Sequence, residues 1–104
     1  MMQGDAYNIQ FIIIRDDNTI VTPSMISEVE IVIGTLRKTY SSGIITYSEY
    51  DQNWLFPISQ SESLALSASN QPVQARIKFT ENDEVIGENL GVIPLEQSRS
   101  KVVL

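Results

Sequence analysis

The chain has 104 residues, enough for one domain with a single core and too few for a second. With 13 acidic against 7 basic residues its formal net charge is -6, and the cations Arg15, Arg37, Lys38, Arg76, Lys78, Arg99 and Lys101 are scattered along the sequence, which argues against a nucleic-acid partner. Cysteine and histidine are both missing, so disulfides, thiolate metal sites, a thiol nucleophile and the usual Ser-His-Asp or Cys-His machinery are excluded.

No apolar run reaches the ~20 residues of a membrane helix, and Met1–Asp5 carries neither the basic nor the apolar region of a signal peptide. The expectation is a soluble, non-exported protein without a membrane partner.

In chain order, Tyr7, Ile9, Phe11 and Ile13 alternate with polar Asn8 and Gln10, and Ile12 and Ile14 then fill the other face. That predicts a first strand entering the core as it proceeds. Arg15–Asn18 turns the chain, and Thr19–Thr22 predicts a short strand stopped by Pro23. A helix from Thr22 through Glu30 is the competing reading, but the β-branched Val29, Ile31, Val32 and Ile33 favour a strand. Gly34 lies inside an extended stretch from Glu28 to Tyr40, and a bulge there would bring Leu36 to the inner face. Ser41-Ser42-Gly43 then predicts a hairpin loop that sets Tyr40 opposite Ile44 and Arg37 opposite Tyr47.

Tyr50–Asn53 is a second polar turn, followed by Trp54-Leu55-Phe56, with Pro57 confining that strand to an edge or an end. Ser59–Ser63 is polar, Leu64-Ala65-Leu66 reads as a short strand and Ser67–Pro72 as a loop. The clearest signal is Val73–Phe79, where apolar and polar residues alternate throughout, the period of a strand with one buried face. Glu81–Glu84 turns into Val85-Ile86, and the glycine-punctuated stretch from Gly87 to Pro94 predicts a last strand with bends.

Short strands separated by polar turns predict one all-β domain over residues 1–104, an immunoglobulin-like antiparallel β-sandwich, with a small β-barrel as the alternative. The expected core is Ile9, Phe11, Val29, Ile31, Ile33, Trp54, Phe56, Val73, Ala75, Ile77 and Phe79.

Three groups of residues are candidates for function. The carboxylates Asp16, Asp17, Glu81, Asp83 and Glu84 sit in two loops that lack the glycine and terminal glutamate of an EF-hand, so solvated turns are expected and neither metal nor cofactor. Tyr40, Tyr47, Tyr50 and Trp54 gather around one hairpin and the next turn, as exposed contact anchors or, on the plainer reading, as core and edge cover. Val102-Val103-Leu104 is an apolar triplet suited to an oligomer contact. Serines lie in turns without a base, so no enzyme is expected.

Several stretches together carry a resemblance: Val29–Gly34, Leu36–Tyr40 with Gly43–Tyr47, Trp54–Gln60, Val73–Phe79, and Val85–Gly87 before Leu90–Ile93. Their order resembles small phage or prophage proteins of Gram-positive bacteria and, more distantly, the N-terminal β-sandwich module of phage baseplate upper proteins. The resemblance implies a tail, baseplate or head-decoration subunit in the virion or the bacterial cytoplasm. Such a subunit docks on phage structural proteins or on itself. The alternative, a carbohydrate- or cell-surface-binding module, would use Tyr40, Tyr47, Tyr50 and Trp54.

Overall fold

The computed structural model describes residues 1–15, 17–66, 68–81, 84–99 and 103–104, with the backbone alone at 88–90. Asp16, Asp83, Lys101 and Val102, singled out above, lie outside the described residues.

The alternating segment sets the frame. Strand β6 (Asn70–Phe79) turns Gln71, Val73, Ala75, Ile77 and Phe79 inward and every intervening side chain outward. Against it lies β2 (Ile26–Ile33), pairing Val29 with Ile77, Ile31 with Ala75 and Ile33 with Val73, so that β-branched residues face their partners across the ladder. Strands β3 (Leu36–Thr39) and β7 (Val85–Pro94) flank this pair, giving a four-stranded antiparallel sheet in the order β3-β2-β6-β7. A second antiparallel sheet has the order β1-β5-β4, from β1 (Tyr7–Phe11), β5 (Asn53–Ile58) and β4 (Thr46–Ser48).

The inner faces of the two sheets share one core. Val29, Ile31 and Ile33 meet Val73, Ala75, Ile77 and Phe79 from one side and Trp54 and Phe56 from the other. All eleven residues expected there reach it, Ile9 and Phe11 as half-buried members packed against its margin. The all-β reading therefore holds at the level of two antiparallel sheets.

Several local expectations are corrected. Ile12 and Ile14 are 61% and 55% exposed, because β1 ends at Phe11 and Ile13 alone turns inward. Thr19–Thr22 is not a strand; Ile20 makes a single bridge to Ile14, and Val21 is buried. The helix considered from Thr22 shrinks to one 3-10 turn over Pro23–Met25 before β2 begins.

Gly34 forms no bulge. With Thr35 it makes a two-residue turn between the paired residues Ile33 and Leu36, and its φ of +58° suits the first position of a type II′ hairpin. Leu36 still packs against the core, now by pairing opposite Ile33.

The expected hairpin around Ser41-Ser42-Gly43 joins no paired strands. β3 and β4 belong to different sheets, and the segment carries the chain across the core edge, with Tyr40 N–H donating to Val29 O and Ile45 N–H to Thr39 O. Gly43 does take the left-handed conformation, at φ +82°.

Leu64 and Ala65, expected in a strand, belong to helix α1 (Gln60–Ala65). Ser59 caps it by accepting from Glu62 N–H while the Glu62 carboxylate accepts from Ser59 N–H, a reciprocal capping box. Lys38 Nζ then reaches Glu62 Oε1 at 2.8 Å and joins the helix to β3. Pro57 fits its place in β5, because it pairs with Asn8 of β1 at a level that β4 does not reach.

Candidate functional site

Trp54 governs the aromatic group. Its side chain is fully buried, its indole N–H donates to Val21 O at 3.2 Å, and the rings of Tyr40 and Tyr47 meet it edge-on at 5.3 and 5.0 Å. Such T-shaped contacts set the positive ring edge against the negative face, and they fix the two tyrosines as half-buried cover over the core. Tyr50 stands apart. It projects from the turn between β4 and β5 and is 97% exposed. The four residues thus divide into an internal triad and one free ring, not a single exposed platform.

The acidic loops have local employment. Asp17 Oδ1 accepts from Thr19 N–H at 3.0 Å, and hydrogen bonding to Thr19 holds its carboxyl below the ordinary carboxylate range. Glu81 lies 3.6 Å from Arg15. Among the described residues no cluster of three or more Asp, Glu, His or Cys side chains is placed to hold a metal ion.

The chain end reaches back to the helix, with Leu104 N–H donating to Gln60 Oε1 at 2.7 Å. The side chains of Val103 and Leu104 are exposed.

A grouping that the sequence conceals lies on the outer face of the four-stranded sheet. Register places Glu30 of β2 opposite Arg76 of β6, Glu28 opposite Lys78, and Val32 opposite Arg37 of β3. Glu30 is buried beneath two guanidinium groups: Arg37 Nε meets its Oε2 at 2.5 Å, and Arg76 Nε and a terminal nitrogen meet its Oε1 at 2.8 Å. Burial acts to raise the Glu30 pKa, but the hydrogen bonds and charges of Arg76 and Arg37 outweigh it and hold the carboxyl low. Glu28 is also lowered: burial opposes, and hydrogen bonds from Ser41 prevail.

Both arginine side chains remain more than 60% exposed, and Lys78 has no ion-pair partner among the described residues. Arg37, distant in sequence, therefore shares one face with Arg76 and Lys78. The signal was available as parity: Arg76 and Lys78 are two apart on one strand, and the pairing of β2 with both neighbours brings in Arg37.

Among the described residues no helix is long and apolar enough to cross a membrane. Compared with known protein families, curated proteins and solved structures, the chain matches none.

Proposed function

We propose that the protein is a non-enzymatic, phage-derived structural or adaptor subunit of a tail, baseplate or head decoration, built as an immunoglobulin-like sandwich and acting by protein–protein docking. The observation that supports this reading is the state of β7. Among the described residues this ten-residue strand pairs with β6 alone, and Val85, Ile86 and Val92 are 57%, 40% and 57% exposed along it.

Monomeric proteins blunt such edges with lysine, proline or a covering loop, because unpaired N–H and C=O groups recruit other strands. β7 carries one charged residue, Glu88, and a register shift opposite Val73 and Gln74, but no lysine or arginine, and its proline comes last. Exposed Val103 and Leu104 add apolar surface to the same end of the argument. The internal packing of Trp54 leaves the carbohydrate-binding alternative with Tyr50 as its one fully exposed ring.

Gene neighbourhood tests the reading at low cost. Adjacent tail, portal or holin genes are the expected finding; glycan-array binding by a protein encoded away from any such genes would favour the carbohydrate-binding module instead.

A further inference from the structure

Two charged groupings of opposite sign lie on different parts of this molecule. Arg37, Arg76 and Lys78 occupy the outer face of the four-stranded sheet, above the buried carboxylate of Glu30 and with Glu28 in register beside Lys78, three cations to two carboxylates. Beside Arg76 on β7 stands Gly87, where an added Cβ would lie 3.6 Å from Arg76 Cγ, so the arginine stem is left uncovered on that flank. The face keeps an excess of one positive charge on a chain whose net charge is -6.

The other surface is the turn between β4 and β5. Its tip presents Glu49, Tyr50 and Asp51, all exposed, with the Tyr50 ring 97% accessible between two carboxylates. Asp51 N–H is anchored to Ser48 Oγ at 3.3 Å, and Gln52 takes a left-handed conformation at φ +56°, so the tip is a shaped turn. An aromatic ring flanked by carboxylates complements guanidinium and ammonium groups twice, through ring-face attraction to a cation and through charge-assisted hydrogen bonds.

The tip belongs to one sheet, and the Arg37–Arg76–Lys78 face points away from the core on the other. Among the described residues no ion pair or cation–π contact joins the tip to this face within one molecule. Charge complementarity names the occupant: the geometry points to a head-to-tail contact in which the Glu49–Tyr50–Asp51 tip of one copy of this chain docks on the Arg37–Arg76–Lys78 face of the next. This deepens the docking role proposed above and rests on it. The two surfaces differ, so the contact is heterologous and propagates into a ring or an open filament. It also weakens with salt, since exposed charges are screened within about 8 Å at physiological ionic strength.

Variants of the two surfaces test it. Arg37→Gln/Lys78→Gln blunts the face, leaving Arg76 on Glu30; Glu49→Gln/Tyr50→Ser/Asp51→Asn blunts the tip. Circular dichroism checks that each is folded, and sedimentation velocity reads mass against concentration at low and high salt. The unmodified chain is expected to form species larger than a dimer at low salt and to lose them at high salt. Each variant alone stays monomeric, and an equimolar mixture stops at a one-to-one dimer, because one intact tip and one intact face remain. Association that both variants retain would overturn this contact while leaving the assembly reading in place. A strictly monomeric unmodified chain, or a mixture that never dimerises, would also overturn it, and the assembly reading would then rest on the composition of particles.

Discussion

Glu30 shows how a single residue joins stability to surface chemistry. A buried carboxylate left alone would cost several kcal/mol, and here two arginines from neighbouring strands neutralise it. Its depressed pKa contributes stability that is complete above the unfolded value of about 4.3 and is lost as pH falls through the folded value. Glu62, where burial is outweighed by Lys38 and the Ser59 cap, adds to the same window. Chemical denaturation followed below about pH 4.5 should therefore show falling stability, and Glu30→Gln should flatten that fall while lowering stability at neutral pH. A pH profile unchanged by the substitution would show that the arginines do not act through this carboxylate. In the core, Ile77 is 5% exposed and opposes Val29, so Ile77→Ala should cost about 2–5 kcal/mol in denaturant melts. These burial relations were legible in the sequence, because strict alternation from Val73 to Phe79 has one physical solution. The partner of Glu30 was not legible, since it depends on which strands flank β2.

Elements were readable where the pattern was long and obscure where it was short. Helix α1 has six residues, too few for apolar periodicity to appear, yet Ser59 followed by Glu62 is a capping-box signature that identifies it. Ser59→Ala should lower stability by about 0.5–2 kcal/mol in thermal or denaturant unfolding, by removing the acceptor for Glu62 N–H. An unchanged midpoint would mean that the packing of Leu66 and the buried Ser63 hydroxyl, which donates to Asp5 O, hold the helix without its cap. The two glycine turns carry a related lesson. Gly34 and Gly43 both have positive φ, yet one closes a hairpin and the other helps carry the chain between sheets. Gly34 opens a two-residue turn between paired Ile33 and Leu36, whereas Gly43 closes a turn by donating its N–H to Tyr40 O, and the strands on either side of it lie in different sheets.

At the scale of the molecule, two sheets enclose one core in an elongated body of 47 × 23 × 21 Å, with β7 paired on one side only among the described residues. The acidic loops are engaged locally by Thr19 and Arg15, so thermal unfolding with added calcium and with excess EDTA should give the same midpoint. A rise of several degrees with calcium would assign those loops to a cation. Sequence made the two-sheet architecture legible through its strands and turns. It concealed the basic face, because Arg37, Arg76 and Lys78 converge only after β2 has paired on both sides. An extended body whose ten-residue strand β7 pairs on one side only among the described residues is suited to a place among neighbours. Mass spectrometry of purified phage particles, from cells in which the gene is induced together with its neighbours, asks this of the protein directly. The chain should be present in fixed proportion to a tail, baseplate or head component through successive gradients; intact particles that lack it would contradict a structural role.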